Sequence, residues 1–135
     1  MLRFRFENLD IWQRAVEVAR KLFRLAESLE ERKLFKFAEQ VRSGGLSMPN
    51  NIAEGSGSTS KREFMQFLNI ARRSTFENAS MILVFAKEGL IEEKIKVEIL
   101  VDLDELCRMI TAFSRTLENQ RLGLKTKSKE EKSET

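Results

Sequence analysis

The sequence predicts an all-α protein, an antiparallel up-down-up-down four-helix bundle. Three observations predict it. Apolar residues recur at three- and four-residue spacing over four long segments. The connections between those segments are short, which favours antiparallel neighbours. One proline and six glycines in 135 residues are too few for the turns of an all-β domain. Hydrophobic residues make up 41% of the chain, enough for one core. Residues 9–120 hold the helical segments, 1–8 form an N-terminal arm, and 121–135 form a charged tail expected to be mobile.

The first segment, 11–29, carries apolar residues from Ile11 and Trp12 through Leu22, Leu25 and Leu29. Its apolar arc is wider than a two-helix seam needs. Two neighbours in one bundle would cover it, and so would one neighbour plus another subunit. Asn8 is the expected N-cap, with Asp10 in the first turn.

The second segment, 33–55, repeats Leu34, Ala38, Val41, Met48 and Ile52 if Gly45 fills the gap. Gly44, Gly45 and Pro49 oppose a helix locally. On propensity alone a loop over 43–50 and a helix kinked at Pro49 are equally supported.

The third segment, 60–87, opens with a capping box, Ser60 to Glu63, after the turn sequence GSGSTS. Phe64, Leu68, Ala71, Thr75, Ile82 and Phe85 follow at helical spacing, and Gly89 is a natural stop. The fourth, 91–120, repeats the pattern from Ile95 and Ile99 to Phe113 and Leu117.

Absences narrow the chemistry. The chain has no histidine and no tyrosine. That removes Ser-His and Cys-His nucleophile pairs and histidine metal sites. The single cysteine, Cys107, has no disulfide partner and reads as a buried small hydrophobe. No acid–base constellation is visible, so the expectation is a non-enzymatic protein without cofactor or metal. Neither a signal-peptide core nor a bilayer-spanning apolar run occurs, so a cytoplasmic protein with no membrane partner is expected.

The charge of +3 is unevenly spread. Residues 91–120 hold four basic and seven acidic groups, while 121–135 hold five basic and three acidic ones. Hairpin register puts Arg42 level with Arg72 and Arg73, near Arg20, Lys21 and Arg24. Such a basic belt suits RNA phosphates. It suits still better a solvated face paired with Glu17, Glu39 and Glu77, since the body of the chain is nearly neutral. The arm Leu2-Arg3-Phe4-Arg5-Phe6 either stacks on unpaired bases or packs on the bundle. The wide face of the first helix and the acidic fourth segment suggest self-association, unless the charges cancel within each bundle.

One run is specific: Gln40-Val41-Arg42, Ser47-Met48-Pro49, then Asn51-Ile52-Ala53-Glu54-Gly55. With Leu9-Asp10-Ile11-Trp12-Gln13, and with Glu63-Phe64, Phe67-Leu68, Ile70-Ala71, Ser74 and Glu77, it resembles the bacterial family of proteins encoded by intervening sequences in 23S rRNA genes. The resemblance implies a four-helix bundle with the proline inside the second helix, so the kinked helix displaces the loop. It also implies a homo-oligomer, with a pentamer favoured, and RNA or a ribonucleoprotein as partner. The alternative is a structural adaptor whose ring binds another protein. Trp12, Pro49, Asn51, Glu54, Gly55, Ser60 and Glu63 become structural motif positions. Asn51 and Glu54 share a helix face, either as a turn-fixing network with Lys61 and Arg62 or as a polar pocket. The family pattern reads Arg-Arg-Ala-Ala where this chain has Arg42-Ser43-Gly44-Gly45, and Glu-Leu-Glu where it has Glu77-Asn78-Ala79.

Overall fold

A computed structural model describes residues 3–124. A 3₁₀ turn, Arg5–Asn8, precedes α1 (Asp10–Glu31), α2 (Phe35–Ser56), α3 (Lys61–Lys87) and α4 (Glu93–Arg121). Each helix packs on its sequence neighbours, and α4 closes on α1. The tail beyond residue 124 lies outside the described residues.

The wide apolar face of α1 is covered within the chain. Ala15, Val18, Leu22, Ala26 and Leu29 are all buried, and α2 and α4 pack on this helix. It therefore supplies no argument for a second subunit. Asn8 does not cap α1. It ends the 3₁₀ turn, and Leu9 occupies the cap without a side-chain bond. The turn is fixed by its own contacts: Gln13 Nε2 donates to Glu7 O at 2.8 Å, Phe6 packs on Trp12, and Arg5 lies over the Phe64 ring. The arm thus packs on the bundle.

α2 runs unbroken through Pro49, as a helix and not a loop over 43–50. Burial outweighs local propensity here. Val41, Gly45, Met48, Pro49 and Ile52 face the core. The glycines have separate reasons. A Cβ on Gly55 would stand 2.7 Å from Phe67 Cβ and 2.9 Å from Phe64 Cδ1, so α2 and α3 touch there. A Cβ on Gly44 would stand 2.6 Å from Asn78 Oδ1. The two departures from the family pattern therefore meet. Asn78 fills the space that an alanine at 44 would need, and its Nδ2 donates to Gly44 O at 2.9 Å and Ser74 O at 2.8 Å. At Gly45 a Cβ would make ordinary contact with Leu22, 3.4 Å away.

α3 begins as its sequence signals: the Ser60 hydroxyl accepts from Glu63 N at 3.1 Å. It ends in a Schellman motif, with Gly89 at φ 74° and Leu90 N donating to Phe85 O at 2.9 Å. The expected turn network is absent among the described residues. Glu54 is exposed and makes no ion pair with Lys61 or Arg62, and Asn51 Nδ2 instead donates back to Ser47 O at 2.8 Å. All three charged side chains sit at exposed helix ends, where solvation competes with pairing.

The acidic fourth helix is used inside the chain. Asp102 is 7% exposed and lies between two cations of α1. Arg14 donates to it at 2.9 Å, and Lys21 bonds its other oxygen. Lys21 also reaches Glu98 at 3.0 Å, and Arg14 reaches Glu105 at 3.0 Å. The charge asymmetry thus cancels in part between α1 and α4.

Three neighbouring substitutions should separate three kinds of glycine. Gly55→Ala is expected to destabilise by about 1–3 kcal/mol through overpacking. Gly45→Ala should stabilise by about 0.5–1 kcal/mol, since the helix gains propensity at no steric cost. Gly44→Ala should destabilise alone yet be restored in the Gly44→Ala/Asn78→Leu double variant. Urea melts of the five proteins measure all of this. A restored stability absent from the double variant contradicts the pairing.

Asp102→Ala should cost roughly 1–3 kcal/mol at pH 7, because it strands Arg14 and Lys21 in a half-buried seam. The hydrogen bonds to Asp102 and Glu98 hold Lys21 above its ordinary 10.5. Its contribution is therefore present below that value and lost as pH rises through the higher folded value. Urea melts in alkaline buffer should show the gap between wild type and variant narrowing.

Candidate nucleic-acid interface

The basic residues singled out by the sequence fall into different surroundings. Lys21 is tied to Asp102 and Glu98, and together with Arg24 it lines a hollow between α1 and α4. Arg42 pairs with Glu30 near the end of α1, holding that carboxyl below its usual range by its hydrogen bond and then its charge. Arg72 donates from Nε to Thr111 Oγ1 at 3.1 Å and lies 5.3 Å from the Phe76 ring centroid. Arg20, Arg24 and Arg73 are exposed and make no ion pair among the described residues. The partners actually used, Glu30, Glu98 and Asp102, differ from Glu17, Glu39 and Glu77.

A second set of arginines emerges from the packing of α3 against α4. The bond from Arg72 to Thr111 fixes the antiparallel register. Ten residues towards the start of α3, Arg62 stands level with Arg121. Two adjoining hollows, of about 390 and 330 Å³, run along this seam and share Met65, Asn69 and Glu118. Arg62, Gln66 and Asn69 edge it from α3, and Ser114, Arg115 and Arg121 edge it from α4. Arg73 follows Asn69 by four residues, on the same exposed face of α3. Glu118 is the one acidic group lining the two hollows. Arg121 bonds both its oxygens, at 2.7 and 3.2 Å, and holds it below the carboxylate range, with Arg62 adding to the effect.

Sequence reasoning placed Arg62 with Glu54 at the α2–α3 turn and did not single out Arg115 and Arg121. The signal was available: Arg62, Gln66, Asn69 and Arg73 repeat at four, three and four residues. Only the register with α4 brings Arg115 and Arg121 beside them.

Beyond Phe76 the same seam turns apolar. A hollow of about 460 Å³ lies among Phe76, Leu83, Val84, Leu100 and Cys107, with Lys87 and Asp104 at its edge. Cys107 is therefore half-buried at a surface groove and not part of the core. Val97 and Val101 on α4 are also exposed.

Elsewhere, Trp12 holds the arm, Pro49 and Gly55 are buried, and Ser60 with Glu63 caps α3. They support the bundle and form no site with the arginines. Among the described residues no group of acidic and thiol side chains stands ready to hold a metal ion. None of the described helices is long and apolar enough to cross a membrane.

Comparison with known proteins agrees with the motif. The sequence model of the family described as 23S rRNA-intervening sequence protein matches residues 7–112. No curated protein matches the chain.

Proposed function

The chain belongs to the 23S rRNA-intervening sequence protein family, and from that footing we propose a non-enzymatic, oligomeric helical protein of the cytoplasm that associates with RNA or a ribonucleoprotein. The observation that carries the reading is the uncompensated arginine on the surface. Arg73 and Arg115 are exposed and make no ion pair among the described residues, and exposed Arg62 meets only Glu118, whose carboxylate Arg121 already binds. The acids of α4 are meanwhile largely engaged by α1 or by α4's own side chains. A nearly neutral total charge thus coexists with surface arginine free to meet phosphate.

Self-association rests on a different surface. Leu83, Val84, Val97 and Val101 are 41–60% exposed on adjoining helices. Such a strip favours burial against another chain. A ring of five is the assembly we propose. The same strip favours the second reading, an adaptor that binds a protein and makes no contact with nucleic acid.

Light scattering beside an RNA gel shift at two salt concentrations separates them. A mass near five subunits, with binding that weakens steeply from about 50 to 200 mM salt, supports the first reading. The same mass without RNA binding supports the adaptor. A stable monomer overturns the oligomer. Val84→Glu/Val101→Glu should lower the mass while leaving the helical content intact.

A further inference from the structure

We propose that the arginine-lined end of the α3–α4 seam is the RNA site, and that it takes an unpaired strand, with phosphates on Arg62, Arg73 and Arg115 and a base against Phe76. The inference rests on the reading that this protein associates with RNA, and it names the site and the form of the RNA.

Three observations place it there. The first is charge. The two hollows carry one carboxylate, Glu118, and Arg121 neutralises it. Arg62, Arg73 and Arg115 are left with their charge facing solvent. The α1 surface is different, because Arg20 and Arg24 flank a seam where Asp102, Glu98 and Glu105 already engage cations.

The second is the aromatic ring. Phe76 is 60% exposed, although the core of α3 is complete without it. Its mapped ring contact is the Arg72 guanidinium, 5.3 Å from the centroid. A guanidinium held by Thr111 beside an uncovered ring forms a platform on which a base can stack. A duplex keeps its bases inside its own stack, so this platform discriminates in favour of unpaired nucleotides. An acidic peptide would use the arginines and leave the ring idle.

The third is the polar lining between charge and ring. Gln66 and Asn69 from α3 and Ser114 from α4 supply amides and a hydroxyl for base edges or ribose hydroxyls. From Arg62 to Arg73 the helix spans about 16 Å at 1.5 Å per residue, enough for a short run of nucleotides.

Fluorescence anisotropy on the full chain tests the site, with a labelled mixed-sequence RNA as single strand and as duplex, at two salt concentrations. Arg62→Gln/Arg73→Gln/Arg115→Gln should weaken single-strand binding at least about tenfold and flatten its salt dependence. Phe76→Ala should weaken it roughly fivefold or more with the salt dependence kept. Arg20→Gln/Arg24→Gln should stay within about twofold of wild type. All these residues are exposed, and circular dichroism with light scattering confirms fold and mass. Binding lost in the α1 variant but kept in the α3–α4 variant overturns the site while leaving RNA association standing. A Phe76→Ala protein that binds like wild type, a duplex bound as tightly as the single strand, or polyglutamate that competes as well as RNA also overturns it. Absence of RNA binding by the wild type removes the underlying reading as well.

Discussion

Close approach of the α2 backbone to side chains of α3 governs how the rest of the bundle is arranged. At Gly55 no side chain fits between the helices, since Phe64 and Phe67 already occupy the position of a Cβ. At Gly44 the same is true of Asn78. Two contacts eleven residues apart on α2 fix the rotation of α3 about its axis, because a turned α3 would drive Phe67 or Asn78 into that backbone. With α3 so fixed, Phe64, Leu68, Ala71, Thr75 and Ile82 point inward. Arg62, Asn69, Arg73 and Phe76 then point out. The exposed face of α3 is the geometric consequence of a glycine contact on its other side.

The helix that carries those glycines is the one the sequence argues against. Gly44, Gly45 and Pro49 each disfavour helix, yet α2 is continuous. Helix propensity is a matter of about 1 kcal/mol per glycine and about 3 for proline. Burying Val41, Met48 and Ile52 completely is worth about 1.5–3 kcal/mol each, which together matches or exceeds those three costs. Asn78 adds two hydrogen bonds to backbone oxygens at the closest point. Its own Oδ1 remains buried without a partner. The pairing of Gly44 with Asn78 therefore trades an apolar contact for a polar one that is only half satisfied.

Periodicity alone made α1, α3 and α4 legible, and Ser60 and Gly89 bounded α3 for reasons visible in the chain. The breadth of α1's apolar face was also visible, but not its partner. Only the closure of α4 on α1 shows that the face is consumed within one subunit. Asn8 misled because the preceding residues form a 3₁₀ turn held by Gln13 and Trp12, contacts that local capping rules do not include. The basic residues were legible as types and illegible as a surface. Lys21 and Arg42 looked free because their acidic partners, Asp102 and Glu30, are far away in sequence or across a turn. Arg62 was assigned to Glu54 across the α2–α3 turn, whereas its electrostatic partner is Glu118 on α4.

The total charge of the chain thus says little about its surface. α4 is acidic, but its acids divide by face. Glu98, Asp102 and Glu105 turn to α1, where Arg14 and Lys21 meet them. The face turned to α3 holds Asp104, paired with Arg108, at its apolar end, and Thr111, Ser114, Arg115 and Arg121 at the other, with Glu118 bound by its neighbour. One helix therefore closes the bundle electrostatically on one side and leaves arginine unopposed on the other. The α3–α4 seam inherits both consequences along its length. Near Arg62 it is basic and polar, and past Phe76 it is apolar. Surfaces whose chemistry suits an anion and an apolar partner therefore lie end to end along one seam, set by the same packing of α3 on α4.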